Sequence, residues 1–140
     1  SIQENLEGVK VKPTPVPFSV RIDRSGTGDF DAVLGGWAAD YADPSSFTDL
    51  FVTGNSYNRG QWSNKEYDDV VKASSTRDAS DEKARWDDLQ KANKIITADD
   101  MGVVPVYQKA EGHLVNKKVK GIVHHAAGAS WDYKWTSIEK

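Results

Sequence analysis

From Phe30 to Gly35 the residues are nearly all apolar or small with little alternation, as in a strand covered on both faces of a sheet. Gly35 and Gly36 end that strand, and Trp37, Asp40 and Tyr41 follow on a loop. Asp43 is placed to cap a helix with Pro44 at its first position, and that helix carries Phe47, Leu50 and Phe51 until Gly54 stops it. Upstream, Ile2 and Leu6 stand at helical spacing, Val9 and Val11 alternate with lysines as a strand, and Phe18 with Ile22 predicts a short helix ended by Ser25-Gly26. Together these compose a strand, helix and strand crossover with parallel strands. Downstream, Ser63 and Glu66 form a capping box before a helix with Tyr67, Val70 and Val71 on one face. A second cap at Asp78 or Ser80 opens a helix to about Ala98, with Trp86, Leu89, Ala92 and Ile96 in one stripe. Val103, Val104, Val106 and Tyr107 predict a strand around Pro105, and Leu114 to Val123 is basic and weakly β-like. Trp131, Tyr133 and Trp135 alternate with polar residues as a strand with one buried face.

This pattern puts Trp37, Asp40 and Tyr41 at the carboxyl end of a buried strand, where open α/β sheets hold their ligands. A carboxylate partly shielded by aromatic rings binds a cation more strongly than one in open water, so the loop points to recognition of something cationic. An Asp capping a neighbouring turn, beside a Trp filling the core, is an equally weighted alternative. The 140 residues suffice for one domain's core. No apolar run approaches the ~20 residues of a membrane span, and the chain opens on Ser1, as expected of a processed or excised piece. With no cysteine there are neither disulfides nor thiolate metal sites, and the net charge of −3 argues against nucleic acid. That charge is uneven: residues 107–140 hold six Lys against three acids, whereas the first 106 hold twelve Lys or Arg against eighteen acids. The tail is expected to belong to a different structural unit from the body.

Other chemistry is weaker. Asp40, Asp43 and Asp49 lack the alternating oxygen ligands of a calcium loop. His124 and His125 face opposite ways on a strand, and His113 has no partner in sequence, so no metal is expected. Gly26-Thr27-Gly28 precedes a strand and lacks the lysine of a phosphate loop. The pairs Asp68-Asp69, Asp87-Asp88 and Asp99-Asp100 fall on helix faces or ends without a nucleophile beside them, so no enzyme signature and no cofactor are read. The chief rival is a carbohydrate-binding platform of Trp131, Tyr133 and Trp135.

Gly28-Asp29-Phe30-Asp31, then Gly36 through Pro44 and Phe47, resemble the GDFD and GWxADYxDPxxF motifs in the C-terminal lobe of oligopeptide-binding proteins. These are the solute-binding subunits of bacterial peptide ABC importers, the extracellular solute-binding proteins of family 5. Ile2 to Val11, Trp62 to Asp68, Val104 to Tyr107, Leu114-Val115 and Val119 to Gly121 resemble further segments of that family in the same order. The resemblance implies an α/β fold, a partial C-terminal lobe of the type II periplasmic-binding-protein class. Residues 1–106 would be part of that lobe, and 107–140 a tail crossing back to the N-terminal lobe of the same parent chain. It further implies that Asp40 pairs with the α-ammonium group of an oligopeptide, that backbone near Trp37 and Ala38 bonds the peptide like a strand, and that Trp37 and Tyr41 line pockets. The partners expected are the peptide and an ABC permease. The location expected is extracytoplasmic, either periplasmic or lipid-anchored at the outer face of the membrane.

Overall fold

A computed structural model describes residues 2–140, and they fall in two units, one ending at Val33 and the other spanning Leu34–Lys140. In the first, a single turn α1 (Ile2–Asn5) precedes an irregular segment where the backbone N–H of Val11 donates to the Gln3 side chain. Helix α2 (Phe18–Thr27) starts directly after Pro17, whose fixed φ opens a helix at no loss of a donor, and it closes at Gly28. The Arg24 side chain pairs with Asp29 just beyond that end.

The second unit holds its core between two helices. After α3 (Ser45–Thr48) and a 3-10 turn at Asp49–Phe51 come α4 (Lys65–Ser75) and α5 (Glu82–Lys94), the latter continuing as a π-helical stretch over Ile95–Asp99. Tyr67 and Val71 of α4 meet Ala92, Ile95 and Ile96, with Phe51, Val52, Trp62, Val70 and Val103 packed around them. Tyr67 is fully buried, and its hydroxyl donates to the Thr48 carbonyl at 2.6 Å, tying α4 to the end of α3. Trp62 stands edge-on to the Tyr67 ring and donates its indole N–H to Asp100 at 2.8 Å. Gly102 passes so close beneath that indole that a Cβ would fall 2.6 Å from it, so only glycine fits. Lys91 of α5 reaches Glu66 of α4, a cross-link at the exposed rim.

The tail forms two antiparallel two-stranded sheets. β1 (Val119–Lys120) pairs with β4 (Ser137–Ile138), Val119 opposite Ile138, and β2 (Val123–His124) pairs with β3 (Trp131–Asp132), His124 opposite Trp131. The His113, His124 and Trp131 rings cluster within 4.8 Å of one another, so His113 finds in space the partner it lacks in sequence.

Several expected elements shift or disappear. Asn64, not Ser63, caps α4, accepting from the Tyr67 N–H, while Ser63 bonds Thr53. Asp81, not Asp78 or Ser80, caps α5, accepting from Ala84 N–H. Trp86 leaves the predicted stripe and is half exposed. No strand forms at Val9–Val11, Phe30–Gly35 or Val103–Tyr107, so the predicted crossover is not made; among the described residues none of these segments has a neighbouring strand to take its backbone hydrogen bonds. Val104, Val106 and Tyr107 are consequently exposed. The alternating aromatics shorten to the two strand residues Trp131 and Asp132, and Tyr133 and Trp135 face solvent.

Replacing Tyr67 by Phe removes one buried hydrogen bond, the one from its hydroxyl to the Thr48 carbonyl. The expected loss is about 1–2 kcal/mol in urea unfolding, with no change in helix content by circular dichroism.

Candidate functional site

The loop between Gly36 and Pro44 is shaped by the residues just after it. Asp43 accepts the Ser45 N–H at 2.9 Å and Pro44 already has helical angles, so the predicted Asp-Pro start of α3 is present. The same Asp43 oxygen accepts from Arg85 of α5 at 2.8 Å, an ion pair with both side chains about a quarter to a third exposed. The Arg85 guanidinium, with help from Ser45, holds the Asp43 carboxyl down at about 2. Burial, followed by the charge of Asp43, pushes the neighbouring Asp49 carboxyl up. Ser46, itself buried, accepts the backbone N–H of Asp40 on its hydroxyl at 2.8 Å and so fixes where that residue sits.

Of the four residues singled out in the sequence, Trp37, Ala38, Asp40 and Tyr41 all lie on this loop, and all are exposed. The Asp40 carboxylate has no donor among the described residues. Its backbone is pinned but its charge is free, which sets aside the alternative that it caps a turn. Trp37 does not fill the core; its ring meets Tyr57 edge-on at 4.9 Å, making an aromatic wall. Tyr41 turns its hydroxyl toward Ser45 at 3.2 Å. From the far end of the chain, the backbone N–H of Gly128, in the turn between β2 and β3, donates to the Ala39 carbonyl at 3.0 Å. Gly128 has φ +75, and a Cβ there would lie 3.1 Å from the Asp40 carbonyl oxygen.

Ser46, Tyr57, Arg85 and Gly128 thus shape the site without having been singled out in the sequence. Ser46 was within reach, since it follows the Asp-Pro cap; Arg85 and Gly128 act across long separations that no local pattern signals. Among the described residues no group of three or more His, Asp or Glu is placed to hold a metal ion. The carbohydrate platform finds no support: Trp131 packs on His113 and His124, whereas Tyr133 and Trp135 are exposed and make no ring contact with it, Trp135 lying under the Lys134 ammonium.

No protein-family model matches this chain. A dipeptide-binding protein of Lactococcus lactis is 40% identical over 137 residues, covering 98% of this chain and 25% of that protein. The chain belongs to the oligopeptide- and dipeptide-binding proteins. It spans about a quarter of the length of the curated relatives it matches. A solved peptide-binding protein of a peptide ABC transporter is 65% identical, with a TM-score of 0.70 over 75% of this chain and 46% of that one. The substrate-binding domain of an oligopeptide ABC transporter from Bacillus anthracis superposes with a TM-score of 0.84 at 34% identity, over 99% of this chain and 27% of that one. The fold is accordingly that of a portion of these peptide-binding proteins, mixed in helix and strand.

Two outcomes follow from the geometry. Asp43 is more acidic folded than unfolded, so its contribution is complete above about pH 4 and is lost as pH falls toward 2. Asp43→Asn should therefore cost about 1–2 kcal/mol at neutral pH and progressively less as pH falls from 4 through 2, read from urea midpoints across that range. Gly128→Ala strains a left-handed backbone and crowds Asp40, so the amide at position 128 should exchange at least tenfold faster, followed by hydrogen-exchange mass spectrometry.

Proposed function

We propose that this chain is part of an extracytoplasmic protein that captures oligopeptides and delivers them to an ABC permease in the membrane. The observation that carries the reading is the Asp40 carboxylate, exposed and without a donor among the described residues, on a backbone held by Ser46 and Gly128. An α-ammonium group is the cation such a carboxylate would take. The adjoining Trp37 and Ala38 backbone offers strand-like hydrogen bonds that peptides of any sequence can answer. Trp37 and Tyr41 would border side-chain pockets. The relative from Lactococcus lactis is a dipeptide-binding protein and that from Bacillus anthracis an oligopeptide transporter, which supports peptide as the ligand class.

In this reading the role is binding, with no reaction and no cofactor. Residues 1–106 contribute to the C-terminal lobe and 107–140 return toward an N-terminal lobe, whose closure over the ligand buries the ion pair. The protein works outside the cytoplasm, either free in a periplasm or held at the membrane by a lipid anchor elsewhere in the parent chain.

In the full-length protein, Asp40→Ala should weaken binding of a free tripeptide by roughly 3–5 kcal/mol in titration calorimetry, the range expected when one partner of a buried pair is removed. N-acetylation of the peptide should cost the wild type a similar amount. Equal affinity for free and acetylated peptide would take Asp40 out of the site.

A further inference from the structure

We propose that Arg59 is a carboxylate-binding residue of the same site, so that the aromatic wall of Trp37 and Tyr57 carries an anion-seeking group as well as the cation-seeking Asp40. The inference rests on the peptide-binding reading and goes further, because it assigns the ligand's negative charge to a residue of this chain.

Three arginines lie in the unit Leu34–Lys140. Arg77 is paired with Asp78 at 2.5 Å and Arg85 with Asp43 at 2.8 Å. Arg59 is half-buried, yet no carboxylate lies within ion-pair distance of it among the described residues. Its guanidinium sits 5.9 Å from the centroid of the Tyr57 ring, and that ring meets Trp37 edge-on at 4.9 Å. The guanidinium therefore adjoins the wall that Trp37 begins, three residues before Asp40 on the same loop, and it does not pair with Asp40.

The loop that carries it is rigid for an identifiable reason. Asn58 is buried; its amide donates to the Trp62 carbonyl at 2.7 Å and to the Phe51 carbonyl at 3.3 Å, while its oxygen accepts the Trp62 N–H at 3.2 Å. On either side, the Tyr57 N–H bonds the Asn55 side chain at 2.9 Å and the Arg59 N–H bonds the Tyr57 carbonyl at 2.8 Å. Tyr57 and Arg59 are thus presented by a loop already ordered, so little ordering cost falls on a ligand that uses them. A guanidinium fork matches a carboxylate with two parallel hydrogen bonds, and partial burial against a ring reduces competition from water. A peptide supplies that group as its terminal carboxylate or as an acidic side chain. An unpaired guanidinium against the ring that Trp37 meets, and an unpaired carboxylate three residues beyond Trp37, suit a ligand that carries both charges.

The test measures trialanine, trialanine amide and the amide of Ala-Glu-Ala by titration calorimetry on the full-length protein, as wild type, Arg59→Gln and Arg59→Lys. Wild type should bind at least one of the two carboxylate-bearing peptides about tenfold more tightly than trialanine amide, and which of the two does so identifies the source of the carboxylate. Arg59→Gln should erase that ratio, and Arg59→Lys should retain part of it. Because the ratio is taken within one variant, a partly folded sample does not change it. A wild type indifferent to the carboxylate, or an Arg59→Gln protein that keeps the full ratio, overturns the assignment while Asp40-dependent binding leaves the peptide reading intact. Absence of binding by any of the peptides, acid or amide, to the wild type removes both.

Discussion

The buried Tyr67 is the joint on which the second unit turns. Its ring fills the space between α4 and α5 against Val71, Ala92 and Ile96, and its hydroxyl reaches out of that apolar environment to the last carbonyl of α3. A phenol in such a place must find an acceptor, because leaving the O–H unpaired would cost more than the bond returns. The Thr48 carbonyl meets that need, so the helix that follows the loop between Gly36 and Pro44 is held at a fixed distance from the core. Burial, followed by the nearby carboxylates Asp49 and Asp68, drives the Tyr67 hydroxyl well above its ordinary range, keeping it a donor at any physiological pH.

A second tie reaches the same region from α5. Arg85 on its first turn grips Asp43, which also opens α3, so one carboxylate serves as helix cap and ion-pair partner at once. Ser46 then extends the order backward to the Asp40 N–H. The result is a loop with a constrained main chain and free side-chain chemistry, a combination suited to a binding residue whose charge must be available and whose position must not wander.

The sequence was most legible where causes are local. Asp43-Pro44 opened its helix as read, and the apolar faces of α4 and α5 were found through Tyr67, Val71, Leu89, Ala92 and Ile96. The caps slipped to Asn64 and Asp81 because each of those regions offers neighbouring cap-competent residues, and only the backbone angles choose among them. Strand readings failed for a different reason. Val9, Phe30 and Val104 sit in segments whose composition favours strands, but a strand is completed by its neighbour, and composition says nothing about whether that neighbour is present. The loop residues Trp37, Asp40 and Tyr41 could be singled out through their motif, whereas Gly128 and Arg85 hold that loop through contacts that only the folded chain creates.

The bond from Gly128 to Ala39 joins positions near opposite ends of the second unit. Contacts of such separation form late, since loop closure must be offset before they add stability. During synthesis the helices α4 and α5 can assemble as soon as they emerge, while the Ala39 carbonyl waits for the C-terminal hairpin. The loop between Gly36 and Pro44 is therefore among the last parts of the unit to acquire its final shape, and a nascent chain still lacking its final segment would present Asp40 without this restraint.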